Sequence, residues 1–271
     1  MPTGATIFIG AHEAIQETQP SRRIGSTMTQ PEHRTSQRRL AAEQTAEFYH
    51  DHFVADQVAG FLKLAGSSGD GMVADVGCGC GFFARALQAA SPWTARVLDL
   101  DPRSVEICRQ HGVQAEVADA LAPPQRGDES IVSFNLILHH LIGHDEASTR
   151  ALQVKALRAW LGRTPRLFVH EYIYESGAFG GVSAYLIYAI TSSRLLSWLG
   201  RSVSRFVPSL RANTFGVGVR FRSAADWAEL FAEAGWQLQS RLRGAEEPIS
   251  LARRLLLIQS CRRDSFLLAP R

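Results

Sequence analysis

Residues 72 to 85 read MVADVGCGCGFFAR: a short apolar run with Asp75 near its end, then Gly77, Gly79 and Gly81, then the start of a helical stretch. An apolar strand feeding a glycine-rich turn and then a helix is how an α/β protein brings its backbone close to a nucleoside ligand. The spacing is G-x-G-x-G with an acid two residues ahead of the first glycine, not the G-x-G-x-x-G of dinucleotide binders. The pattern therefore argues against a nicotinamide cofactor. Cys78 and Cys80 lie inside the turn, where their side chains need carry no chemistry.

The rest of the chain sets this turn in a repeating frame. Apolar runs predict strands at Met72 to Val76, Ala95 to Leu100, Val113 to Ala118, Ser130 to Asn135 and Leu167 to Tyr174. Helical spacing falls between them, near Phe82 to Ala90, Pro102 to His111 and Ala147 to Leu161. Further on come a helix at Ser223 to Ala234, a strand at Trp236 to Leu242 and a last strand near Arg254 to Ser260. Strands alternating with helices predict an α/β, doubly wound, mostly parallel seven-stranded sheet with helices on both faces.

Three segments stand outside this rhythm. Residues 1 to 36 are polar and aperiodic and are expected to be a disordered arm, with Met28 an alternative start. A helix is expected from Arg38 to Leu64, bearing Tyr49, His50 and His52, whose expected role is aromatic packing. Residues 175 to 215 carry Tyr185, Leu186, Tyr188, Leu195 and Trp198, and predict a helical lid inserted after the fifth strand. One domain, 37 to 263, then ends in a tail at 264 to 271.

Composition excludes several classes. A 271-residue chain with 45% apolar residues can bury one substantial core. Four cysteines (Cys78, Cys80, Cys108 and Cys261) form neither a disulfide framework nor a zinc pattern, which suits a reduced, cytoplasmic protein. No run reaches the ~18 to 20 apolar residues needed to span a bilayer. From Arg194 to Arg271 there are 13 Arg against 6 Asp or Glu. Such a basic third suits an anionic carrier protein, a phosphate-bearing substrate, a membrane surface or nucleic acid. No basic strip interleaved with aromatics is present, which argues against nucleic acid.

Acids recur where the expected strands end. Asp75 belongs to the first, Asp99 to the second, and Asp119 follows the third. A carboxylate after the second strand suits a ribose diol, because two hydroxyls can donate to it. Asp101 competes for that role, but Pro102 after it makes it the better helix opener. An acid after the third strand can accept from the exocyclic amine of adenine.

The ordered series DVGCGCG, VLDLDP, VADALA and SFNLILHHL resembles that of the class I S-adenosylmethionine-dependent methyltransferases, in particular the bacterial small-molecule enzymes. FRSAADWAELFAEAGW is similar to the segment before their last strand pair, and the likeness extends from Phe48 to Arg263. It implies S-adenosyl-L-methionine as cofactor. Gly77, Gly79 and Gly81 would wrap its methionine end beside Asp75, Asp99 and Leu100 would meet the ribose, Asp119 and Ala120 the adenine, and Asn135 the methyl group. Two departures are the Gly162-Arg163-Thr164-Pro165 turn before the fifth strand and the displacement of the usual fourth-strand acid to Asp128 or Glu129.

A sulfonium methyl needs in-line alignment more than activation. Where the nucleophile carries a proton, a base adds to this, and His139 and His140 are the candidates for that role. His170 and Glu171, in the fifth strand, are further candidates. His139, His140, His144 and Asp145 have the composition of a metal site, but their spacing fits no zinc signature, so no metal is expected. The expected acceptor is a small hydrophobic molecule, aromatic or lipid-like, free or carrier-bound, with RNA or protein methylation and a non-catalytic cofactor-binding role as alternatives. A catalytic N-P-P-Y series is absent after the fourth strand.

Overall fold

The computed structural model describes residues 53–77, 79–124, 126–176, 186, 219–249, 253–254 and 257–271. The expected arm (1–36), most of the first expected helix and the expected lid lie outside these residues, apart from the lid's Leu186 and its first two residues, Glu175 and Ser176, which are strand and not lid. Seven strands form one sheet in the order β3-β2-β1-β4-β5-β7-β6. They are β1 (Met72–Val76), β2 (Thr94–Asp99), β3 (Gln114–Val117), β4 (Glu129–Asn135), β5 (Leu167–Ser176), β6 (Trp236–Leu242) and β7 (Ile258–Pro270). β1 to β5 pair in parallel, and β7 runs antiparallel to both β5 and β6. Chain order reverses where β1 lies between β2 and β4, and the crevice beyond those strand ends is where such sheets take ligands.

Period-two alternation sends each strand's side chains to two cores. Val76, Val132, Phe134, Val169 and Phe266 face helices α4 (Glu146–Arg158) and α5 (Ala224–Glu233). Val73, Val97, Ile131 and Phe168 face α1 (Val54–Ala65) and α2 (Phe82–Ala90). Phe61 of α1 fixes that helix by edge-on contact with Phe83, Trp93 and Phe168 at 5.8, 5.6 and 5.1 Å. The helix starts follow local chemistry. Asp101, followed by Pro102, caps α3 (Pro102–Gln110), and Asp145 and Ser223 open α4 and α5 through capping boxes with Ser148 and Asp226.

The C-terminal expectations require correction. The tail expected at 264–271 is strand, and the last strand begins at Ile258 and not at Arg254. β7 lies between two neighbours, so Phe266, Leu267 and Leu268 are buried on both faces and form an unbroken apolar run without alternation. Arg262 and Asp264, just past the expected strand end, are buried and hydrogen-bond each other at 3.2 Å. Asp128 and Glu129, the displaced acids, both pair with the buried Arg96 of β2.

Candidate active site

The turn after β1 is closed by backbone geometry. Gly77 (φ +66°) and Gly79 (φ +62°) are both left-handed, a region that penalises any residue with a Cβ. At Gly77 a Cβ would also lie 2.5 Å from Ile137 Cγ1, so the chain leaving β4 presses on the first glycine. At Gly79 a Cβ would meet nothing within 4 Å, so the turn leaves open space above its middle. Cys108 of α3 supports the turn from below by donating to Gly79 O at 3.3 Å. Burial pushes its thiol up to about 12, so it acts as a packed donor, not a nucleophile.

Asp99 ties this turn to the end of β2. Its Oδ2 accepts from Gly79 N at 2.9 Å and its Oδ1 from Asp101 N at 2.8 Å. Each oxygen keeps capacity for one more bond, the number a ribose diol requires. Burial raises the Asp99 pKa against the opposing pull of the Asp101 and Gly79 N–H groups. Leu100 beside it is half-buried. Asp101 instead accepts from Arg103 N and Ser104 Oγ at the start of α3, each at 3.2 Å. Asp119 Oδ1 accepts from Leu121 N at 2.8 Å and so shapes its own turn, while Ala120 is buried behind it.

Asn135 closes β4 on the same sheet face as Asp75, and both are buried. Its Nδ2 donates to Asp75 Oδ1 at 2.9 Å and to Ser133 Oγ at 2.6 Å. Because a carboxylate only accepts, this fixes the amide's orientation and leaves Asn135 Oδ1 as a buried acceptor with no partner among the described residues. Buried acceptors of this kind are normally satisfied, so a ligand donor fits here. The open space at Gly79, the Asp99 oxygens and Asn135 Oδ1 are together compatible with a nucleoside cofactor bearing an amino-acid end.

Beyond Asn135 the chain turns sharply. Leu136 has φ +56°, a costly value for a branched apolar residue, and its N donates to His170 O at 2.8 Å. This turn leads into a short 3-10 segment, Leu138–His140. Glu171 of β5, fully buried, grips that segment twice: Oε1 accepts from Leu138 N and Oε2 contacts His139 Nδ1, both at 2.7 Å. Tyr172 N also donates to Oε2, at 3.2 Å. Both oxygens therefore accept backbone N–H groups, which makes His139 Nδ1 the donor and leaves Nε2 open to take a proton.

His139 packs among aromatic rings: Phe221 at 5.0 Å, Tyr172 at 5.8 Å and His140 at 4.1 Å. Tyr174 stacks on Phe221 at 4.3 Å, and Phe53 meets Tyr172 edge-on at 6.5 Å. Burial, with His139 beside it, holds the His140 imidazole well below its ordinary pKa. His144 is exposed, and Asp145 is occupied in capping α4. His170 Nδ1 meets Ser265 Oγ at 2.9 Å, and burial, with Arg263 adding to it, lowers its pKa to about 4. Glu171 was one of several candidates in the sequence. Gln153, which proves to adjoin this site, carried no signal there, and Phe221 and Arg222 stood out only as the start of the segment before the last strand pair, with no sign that they reach His139.

Among the described residues, most arginines of the C-terminal third are paired. Arg220, Arg222, Arg241, Arg243, Arg253, Arg262 and Arg263 all pair with carboxylates. Among the described residues, no helix is long and apolar enough to cross a membrane.

Comparison with known proteins bears on the frame. The methyltransferase-domain family model matches residues 73–158. Among solved structures, the MccD protein is 13% identical and matches with a TM-score of 0.52, over 80% of this chain and 96% of its own. The pyocyanin biosynthetic protein PhzM is 15% identical, with a TM-score of 0.50 over 79% of this chain and 54% of its own. The mitomycin 7-O-methyltransferase MmcR is 15% identical, with a TM-score of 0.49 over 80% of this chain and 55% of its own. The chain thus spans about half the length of the last two, and at these identities the likeness is one of fold. No match was found among curated proteins. The stretch that matches the family begins within β1 and ends with α4, so the part of the chain carrying the glycine turn is a class I S-adenosylmethionine-dependent methyltransferase domain.

Proposed function

We propose that the chain transfers the cofactor's methyl group to a hydroxyl of a small aromatic acceptor, with His139 as general base. The observation that carries this reading is the buried His139–Glu171 pair at the end of β4, set within an aromatic cluster. When bound, S-adenosylmethionine supplies an electrophilic methyl on a sulfonium that is already a good leaving group. Asp75, Gly77, Gly79, Gly81, Asp99, Leu100, Asp119, Ala120 and Asn135 would hold it. The remaining task is to place and deprotonate the nucleophile.

Nε2 of His139 takes the hydroxyl proton. Glu171 keeps the opposite nitrogen protonated and offsets the positive charge that develops on the ring. A base so placed contributes about 10²- to 10⁴-fold. His140, held neutral beside it, packs against the ring and spares it a second charge. Tyr172, Tyr174, Phe221 and Phe53 supply faces and edges for an aromatic ring. The pairing of most described C-terminal arginines favours a small acceptor over a polyanion.

The test is transfer of a labelled methyl group into a cell extract, followed by partition into organic-soluble, RNA and protein fractions. Label is expected in the organic fraction of the wild type and absent from that of His139→Ala. Label confined to RNA or protein overturns the small-molecule reading, and undiminished label with His139→Ala overturns the base.

A further inference from the structure

Where Glu171 takes the N–H of Leu138, the carbonyl of the same residue is held by a buried polar chain with no part in the chemistry above. Gln153 of α4 is fully buried, and its Nε2 donates to Leu138 O at 2.9 Å. Its Oε1 receives two bonds from one guanidinium, Arg222 Nε at 2.9 Å and Nη2 at 2.7 Å. Arg222 is itself 2% exposed, and its Nη1 reaches Glu146 Oε1 at 2.8 Å. Glu146 Oε2 accepts from Arg220 Nε at 2.5 Å, and Arg220 N donates to His139 O at 2.9 Å. The chain thus starts and ends on consecutive carbonyls, those of Leu138 and His139.

The chemistry permits one arrangement of this chain. A guanidinium has only donors, so the amide atom facing Arg222 must be the oxygen, and the NH₂ is driven onto Leu138 O. Arg222 also anchors its own segment, since Tyr174 N donates to Arg222 O at 3.1 Å. Phe221, between the two arginines, is thereby carried to the His139 ring. Burying an arginine and a glutamine this completely is justified by specific geometry more readily than by stability.

We infer that Arg222 and Gln153 are positioning residues, setting the Leu138–His139 backbone so that the imidazole meets Glu171 through Nδ1 and presents Nε2 to the acceptor. Glu171 holds the ring, and the Gln153–Arg222–Glu146–Arg220 chain holds the backbone. A ring fixed at only one of these points would pivot about it. The inference rests on the proposed role of His139 and extends it to residues that touch neither cofactor nor acceptor.

The test needs no acceptor. Histidine labelled with ¹⁵N and ¹³C in the protein saturated with S-adenosylhomocysteine reports the tautomer and titration of His139 by NMR, assigned with His139→Gln. Wild type is expected to hold the Nδ1–H tautomer. Because a lone deletion strands a buried partner, the informative variant is the double change Gln153→Met with Arg222→Met, which removes both ends of the bond. It is expected to stay folded and to bind S-adenosylhomocysteine within about twofold of wild type, while His139 shows mixed tautomers and a midpoint moved by at least about half a pH unit. Arg222→Lys, which keeps one donor to Gln153, is expected to restore part of the wild-type signature. A wild-type tautomer and midpoint in a folded double variant overturn the positioning role and leave the base standing. An Nε2–H tautomer in wild type overturns the base itself.

Discussion

From Gly77 to Asp119 the groups suited to the cofactor lie close together in the chain and work largely through the backbone. Gly79 N and Asp101 N hold Asp99, and Leu121 N holds Asp119. The acceptor side is assembled differently. His139, Gln153, Glu171 and Arg222 come from four separate segments, and side-chain carboxylate, amide and guanidinium groups make its bonds. A turn that reads a constant ligand can be written into one short stretch. A surface that reads a particular acceptor is built from side chains that can change one at a time while the sheet stays intact.

If that contrast holds, substitutions should separate cleanly into those that abolish cofactor binding and those that spare it. The largest effect is expected from Gly77→Ala, where a left-handed φ and a 2.5 Å approach to Ile137 act together. Stability should fall by about 2–5 kcal/mol, and the rise in melting temperature with S-adenosylhomocysteine should vanish. A retained rise would show that the turn is not the cradle. His139→Ala should next lower methyl transfer by about 10²- to 10⁴-fold while leaving S-adenosylhomocysteine affinity unchanged by calorimetry. A matched loss of affinity would merge the two regions into one.

Asp99→Ala should weaken S-adenosylhomocysteine by about 10- to 100-fold, as expected for lost bonds to a charged group. Unchanged affinity would remove Asp99 from the cofactor side. The smallest effect at neutral pH concerns His170, buried in β5 beside Asn135. Folded, its imidazole stays neutral down to about pH 4, whereas the unfolded chain takes up the proton near the ordinary histidine value of 6.5. The unfolded state thus binds more protons between these values. Stability is complete above about pH 6.5 and falls by up to about 3 kcal/mol as the pH drops to about 4. Urea midpoints for wild type and His170→Leu should converge as pH falls from 7 to 4.5, and parallel acid slopes would show that His170 protonates without cost.

The strand-end acids were legible because each obeys a local rule. Asp101 before Pro102 opens a helix, which leaves Asp99 outside that cap at the end of β2. The boundaries of α2 and of strands β1 and β6 match the expected spans because glycine turns and helix starts punctuate them. The C-terminal strand was misread for a physical reason: a strand paired on both sides loses the alternation that marks a half-buried one, and its charges find partners inside the fold. His139 and Glu171 were each visible as candidates, yet nothing in their separation of 32 residues says that they touch.

The sequence alone determined that this chain would build a strand, a glycine turn and a helix, with acids following at the next strand ends, because backbone conformation and capping depend on near neighbours. Only the tertiary structure decided which histidine faces a carboxylate and which is packed neutral beside it. It also decided that Gln153 and Arg222 close upon the same segment and that most of the described C-terminal arginines pair with carboxylates. These outcomes depend on strand register and helix packing across the sheet, and those interactions join residues that no local pattern connects.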